Sequence, residues 1–192
     1  GISVGGLPDG IVDADMLASN AVTAGKLASG VGGKLLQFLQ TVKSDTFSTS
    51  ISAGGQSSEV SGLTVNITPS NASNKILIRV VINVGANTSN RMVAFRIRKD
   101  GSTLSGARGD TDGSRAVVTS GTNIDALSRT NCIVGEYLDT AGGTSQITYG
   151  IVLRHGDTSS QTITINKSES NDDDDAYSFR TISTISVMEI AA

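Results

Sequence analysis

The stretch Ile76-Leu77-Ile78-Arg79-Val80-Val81-Ile82-Asn83-Val84 decides the architecture. Side chains of an extended chain alternate between two faces, so Ile76, Ile78, Val80, Ile82 and Val84 share one face and Leu77, Arg79, Val81 and Asn83 the other. The first face is wholly apolar and reads as core. Two further segments keep this period of two. Val93, Phe95 and Ile97 alternate with Ala94, Arg96 and Arg98, and Ile147, Tyr149, Ile151 and Leu153 alternate with Thr148, Gly150, Val152 and Arg154. More strands are expected near 35–42, 63–68, 115–119, 132–138, 161–166 and 179–190, separated by clusters of Gly, Asn, Asp and Ser. Asp100-Gly101 is a strong two-residue hairpin signal, because both residue types accept the positive φ angles of a tight turn. About nine strands from residue 34 onward, with no long helix, predict an all-β fold. The expected form is a jelly-roll-like antiparallel β-sandwich.

Composition agrees and excludes several classes. The 192 residues hold 26 Ser, 20 Thr and 22 Gly, with no Trp, one His and one Cys. Cys132 has no partner for a disulfide, and one His with one Cys rules against a zinc site of the usual ligands. No run reaches the roughly 18 apolar residues that span a bilayer, so no membrane insertion is expected. A net charge of -3 with dispersed Lys and Arg argues against nucleic acid as a partner.

Several strands are apolar on both faces. Besides 76–84, the last strand puts Ile185 and Val187 on one parity and Met188 and Ile190 on the other. A lone antiparallel sandwich should be polar outside. A subunit interface along the outer face explains the pattern; a bulge in the last strand, or scattered exposed aliphatics, are the alternatives.

Residues 1–33 read differently from 34–192. Val12-Asp13-Ala14-Asp15-Met16-Leu17-Ala18-Ser19 aligns with Val22-Thr23-Ala24-Gly25-Lys26-Leu27-Ala28-Ser29 at an offset of ten. Asp13 and Thr23 suit the N-cap of a short helical turn, and Asn20 and Gly30 suit its stop. Turns this short do not stand alone in water. The repeat nevertheless preserves apolar positions (Val12 with Val22, Leu17 with Leu27), as a stalk in which copies bury Val12, Met16, Leu17, Val22, Leu27 and Val31 against each other would require. A solvated linker is the alternative.

The decad core Ala21-Val-Thr-Ala-Gly-Lys-Leu-Ala-Ser-Gly30, leading into an all-β domain, resembles the repeats of bacteriophage tail-fibre and related virion appendage proteins. The closing Ile185-Ser-Val-Met-Glu-Ile-Ala-Ala192 is similar to the C-terminal strand of such distal domains. The resemblance implies a virion component: a homotrimer with a thin stalk and a β-sandwich tip. Its N-terminal side would attach to other virion proteins, and its tip would contact a glycan or protein receptor on a bacterial surface. It implies no enzymatic activity and maps no catalytic motif onto these residues. A capsid fibre or decoration protein and a surface-glycan hydrolase are the other readings.

Candidate sites are loops. The loop near 102–115 carries Arg108, Asp110, Asp112 and Arg115 and is of the kind that presents receptor-binding groups from a rigid scaffold. Asp110-Thr-Asp-Gly113 opens like a calcium loop but lacks the later acidic ligand, since Gly121 stands where it should be. The run Asp172-Asp173-Asp174-Asp175 offers hard oxygen ligands for calcium, the one cofactor considered, or is a solvated tip that blocks edge-to-edge association. Arg91, Arg96, Arg98 and Lys99 are either an anion-capturing face or partners of Glu136 and Asp139. Cys132 is expected to be an inert core thiol. His155 lacks any Gly-x-Ser-x-Gly nucleophile to serve. Glycoside hydrolysis is disfavoured by the absence of Trp and a supply of only four Glu. Tyr137, Tyr149 or Tyr177 are the aromatic side chains available for exposure to a glycan.

Overall fold

A computed structural model describes residues 34–169 and 178–192. The stalk residues Val12 to Val31 and the run Asp172 to Asp175, with Tyr177, lie outside the described residues. Among those described there are twelve strands. They are β1 (Leu35–Lys43), β2 (Phe47–Ile51), β3 (Gln56–Glu59), β4 (Val65–Ile67), β5 (Lys75–Ala86), β6 (Arg91–Lys99), β7 (Ser102–Thr103), β8 (Ser120–Ile124), β9 (Asn131–Thr140), β10 (Ile147–His155), β11 (Gln161–Ile165) and β12 (Ser183–Ile190).

Twelve strands make eight columns, because four columns are broken along their length. On one edge of β5, β12 pairs with Lys75 to Val81 and β11 with Val84 to Ala86. Outside them, β1 pairs with β12 and β2 with β11. In the other sheet β3 and β4 share one edge of β10, and β7 and β8 share one edge of β6. With the columns numbered along the chain, one sheet runs 1-8-3-6 and the other 2-7-4-5, antiparallel throughout. That is the double Greek key of a jelly roll. The first sheet is called A below, the second B.

Sequence parity sets which side chains enter the space between the sheets. Ile76, Ile78, Val80, Ile82 and Val84 of β5 are fully buried, as are Ile185 and Val187 of β12. Phe95 and Ile97 of β6, with Tyr149, Ile151 and Leu153 of β10, close the core from sheet B. Each such side chain contributes about 1.5–3 kcal/mol of transfer free energy. Tyr149 is thus a core residue and not an exposed aromatic, a correction to the sequence reading. Its hydroxyl donates to Asp139 Oδ2 at 2.8 Å, which also accepts from Lys99 Nζ at 2.7 Å. Burial first, and the Asp139 carboxylate second, push the phenol above its usual range. Asp139 thereby ties β9 of sheet A to β6 and β10 of sheet B.

Buried polar groups mark where the broken columns meet. Asn166, in the left-handed region at φ 63, follows β11 and is fully buried. Its side chain donates to the carbonyls of Lys43 and Asp45 at 2.8 and 2.9 Å and accepts from Ser183 Oγ at 2.6 Å. Ser183 Oγ in turn accepts from Asn83 N at 3.0 Å. One side chain therefore satisfies the gap between β1 and β2 and the start of β12, groups that would otherwise be buried without partners.

Three sequence expectations need correction. Residues 115–119 form no strand; they end a long loop, and pairing with β6 begins only at Ser120. Cys132 is exposed, because Ile133 takes the core parity and Cys132 faces outward opposite Asn83. The final strand starts at Ser183, not 179. The Asp100-Gly101 turn forms as read: φ is 48 and 73 at the two residues, and Lys99 pairs with Ser102.

Candidate functional site

Two surfaces stand apart from an ordinary exterior. The first is the outer face of sheet A. Strand register aligns Phe38, Met188, Leu77 and Leu138 in one row across β1, β12, β5 and β9. Two positions along each strand lie Gln40, Ser186, Arg79 and Glu136, and two further on Val42, Thr184, Val81 and Val134. Phe38 and Leu138 are each 50% exposed, and Val42 is 51% exposed. The pairing of β12 with β5 is unbroken, so the apolar outward parity is not the product of a bulge in the last strand. The one irregularity on this face lies in β1, between Leu35 and Gln37. Strands about 4.8 Å apart, with about 6.8 Å between successive outward residues, give the three rows an area of roughly 400 Å². Across the middle row Arg79 Nε meets Glu136 Oε1 at 3.2 Å, an exposed pair flanked on both sides by apolar side chains.

The second surface lies on sheet B. The segment between β7 and β8 begins with a 3-10 turn at Ser105–Ala107 and folds back along β6. Thr119 N donates to Phe95 O at 2.9 Å, Thr119 Oγ1 to Ala107 O at 2.6 Å and Gly109 N to Val118 O at 3.1 Å. Gly106 passes so close to Tyr137 that a Cβ there would meet the phenol oxygen at 2.1 Å. Held this way, the loop and the outer side of β6 and β10 enclose a cleft of about 620 Å³. Met92, Ala94, Ala116 and Val118 make its apolar lining, and Arg115 and Arg154 its charged one.

The arginines gather here. Arg154 of β10 pairs with Ala94, and Arg96 of β6 with Val152, so the two guanidinium stems are diagonal neighbours on one face. Arg96 is fixed by donation from Nε to Val117 O at 2.8 Å and from a terminal nitrogen to Gln56 Oε1 at 3.1 Å. Its pKa is lowered, first by burial and then by the positive charges of Arg154 and Arg108. Among the described residues no carboxylate stands within ion-pair distance of Arg96, Arg108 or Arg154. Among the described residues Arg108 Nε and Arg154 Nε, like Arg91 Nε and Arg98 Nε, are buried without a hydrogen-bond acceptor.

Of the receptor-binding residues expected from sequence, Arg115 lines this site, and Arg108 lies near enough to Arg96 for its charge to lower the pKa there. Asp110 and Asp112 are exposed at the loop tip, where Asp110 Oδ1 accepts from Thr111 N and Asp112 pairs with Arg115. The expected partners of the 91–99 cations are met in part. Lys99 takes Asp139, whereas Arg91 pairs with Asp157 at 2.8 Å and Arg98 lies 3.8 Å from Glu59. Sequence reasoning did not single out Arg154. Its signal was parity: it follows Gly150 and Val152 on the outward side of a strand whose neighbour presents Arg96.

His155 walls the cleft without a free nitrogen. Nε2 lies 3.0 and 2.7 Å from the carbonyls of Ile51 and Ser52, and Nδ1 accepts from Asp157 N at 3.1 Å. Those contacts assign the neutral Nε2–H tautomer, a clamp between β10 and the β2–β3 turn. Among the described residues no group of three His, Cys, Asp or Glu is placed to hold a metal ion.

No family model and no curated protein matches the sequence. The solved structures that show a weak likeness include two of a virus. A structure of the infectious bursal disease virus Gx strain matches at 12% identity and a TM-score of 0.39, over 81% of this chain and 42% of that one. A VP2 subviral particle of infectious bursal disease virus matches at 10% identity and a TM-score of 0.40, over 81% of this chain and 38% of that one. The chain thus spans about two fifths of the length of the structures it resembles.

Proposed function

We propose that this chain is a non-enzymatic structural and adhesive component of a virus particle, of the tail-fibre type, that works as a homotrimer and attaches to a bacterial surface. The observation that carries the reading is the outer face of sheet A, where two apolar rows flank a row containing Arg79 and Glu136. This sheet face covers roughly 400 Å², about two thirds of it in the two mainly apolar rows, which is the size of the largest patches on protein surfaces, and such patches are often functional. It is about half of what one partner contributes to a stable interface. In this reading the apolar positions of residues 1–33, known from sequence alone, supply the remainder of the interface between copies. The Arg79–Glu136 pair lets the same patch offer both signs of charge to a second copy. Three tips on one stalk then multiply weak receptor contacts into avidity.

The reading is tested by measuring the mass of the full chain in solution together with adsorption of labelled protein to a panel of bacterial cells. A trimer that adsorbs to a subset of strains is the expected result. A trimer that binds a viral shell and no cells would move the chain to a decoration role. A monomer would remove the proposal.

A further inference from the structure

The cleft on sheet B and its surroundings collect positive charge that carboxylates of the described residues balance only at Arg115. Folded proteins seldom bring cations together without a counter-charge, and where they do the site is a candidate for binding. Here Arg96 is held in place by Val117 O and Gln56 and is repelled by Arg154 and Arg108. Arg154 and Arg115 both line the cleft, and among the described residues the exposed Asp112 is the one ion-pair partner of Arg115. An exposed pair of that kind is worth at most about 1 kcal/mol and yields readily to a competing anion. A guanidinium presents N–H groups in a planar fork matched to two oxygens of a carboxylate or phosphate. The rest of the lining is mainly apolar, with Met92, Ala94, Ala116 and Val118 beside Ser114, His155 and three glycines, and contains no Phe, Tyr or Trp. A volume of about 620 Å³ is within the range of small-molecule clefts.

We infer that this cleft binds the carboxylate or phosphate group of an acidic saccharide, with Arg154 and Arg115 contacting the oxyanion and Arg96 and Arg108 supplying the surrounding positive field. The saccharide part of the assignment rests on the surface-attachment reading; the oxyanion part rests on the arginines alone. The apolar lining takes the less polar face of a pyranose ring, and the loop from Leu104 to Thr119 sets the width of the opening. No covalent step is involved.

The test is calorimetric titration of the full-length chain with four probes: glucuronate, glucose 6-phosphate, glucose and inorganic phosphate. Saturable binding of at least one sugar acid is expected, at least tenfold tighter than glucose and inorganic phosphate, and weakening as salt is raised. Arg154→Gln is expected to weaken it at least tenfold, and Arg108→Gln to weaken it less, with unchanged thermal unfolding. Arg129→Gln, which alters an exposed pair with Asp125 remote in role from the cleft, should leave it unchanged. Glucuronate against glucose 6-phosphate separates the carboxylate source from the phosphate source. Equal binding of glucose, equal binding of inorganic phosphate, or an Arg154→Gln protein that binds as well as wild type would overturn the inference. So would tighter binding of a tetra-aspartate peptide than of either sugar acid, which would point to a protein partner. Failure of the attachment reading is distinguishable: sugar-acid binding without adsorption to any cell leaves the site standing and removes only its proposed role.

Discussion

Glu189 lies on the inward parity of β12 and is fully buried, yet it is held as a carboxylate. Burial by itself raises its pKa; hydrogen bonds from Asn74, from Gln37 and from the side chain and backbone of Ser70 outweigh it and bring the value down to about 2 from 4.5. Oε1 takes Asn74 Nδ2 at 2.6 Å, Ser70 N at 2.7 Å and Ser70 Oγ at 2.8 Å, while Oε2 takes Gln37 Nε2. The group joins β1, β12 and the turn before β5. Because the folded pKa lies below the unfolded one, the unfolded chain binds more protons between these values and stability rises with pH there. The contribution is complete above about pH 5 and is lost as pH falls through 4 to 2. A depression of this size corresponds to about 3 kcal/mol, a large part of a domain's marginal stability. Glu189→Gln keeps the shape but removes the charge, so it should destabilise the domain at pH 7 by about 2–3 kcal/mol and flatten this acid limb. Urea denaturation at pH 7, 4.5, 3 and 2 measures both. Wild-type and Glu189→Gln curves that fall in parallel on acidification would refute the assignment of that limb to Glu189.

Gly135 in β9 leaves room for the Phe95 ring; an added Cβ would meet Phe95 Cζ at 2.8 Å and Thr119 Cγ2 at 3.0 Å. Gly135→Ala should therefore cost about 1–3 kcal/mol as overpacking, read as a lower urea midpoint with an unchanged slope. Asp139→Asn weakens the link between the sheets by removing the charge that Lys99 meets and Tyr149 donates to, with an expected loss of about 1–3 kcal/mol. Replacing Leu138 with Lys on the outer face of sheet A should leave the unfolding free energy from urea denaturation within about 0.5 kcal/mol of wild type and weaken self-association at least tenfold. Sedimentation equilibrium measures the latter.

The strands that sequence reading found are those whose parity carries information on both faces. Over 76–84 of β5, 93–97 of β6 and 147–153 of β10 the inward residues are large and apolar, and the alternation survives intact in the fold, with His155 closing β10 on the same parity. The ones it missed, Phe47–Ile51 and Gln56–Glu59, are edge segments of Ser, Thr and Gln in which only Ile51 and Ser57 are buried. Such short stretches are strands because a neighbour presents free backbone groups, a cause that lies in distant sequence. The misplacement near 115–119 has the same origin. Ala116, Val117 and Val118 look like a strand but serve as the apolar lip of the cleft and as a carbonyl acceptor for Arg96. Ser120-Gly121-Thr122-Asn123-Ile124 looks like a turn but pairs with β6. The two-sided apolar character of 76–84 and 185–190 was readable, and the register now assembles it into rows. Arg154 was not, since only the pairing of β10 with β6 brings it beside Arg96.

Sedimentation equilibrium of the full chain at micromolar concentration tests the role of the outer face of sheet A most directly. A trimer has three times the 19.7 kDa chain mass, about 59 kDa, and Leu138→Lys should lower the average mass toward that of a single chain. A wild-type protein that sediments at 19.7 kDa would contradict the proposal, as would a trimer indifferent to Leu138→Lys.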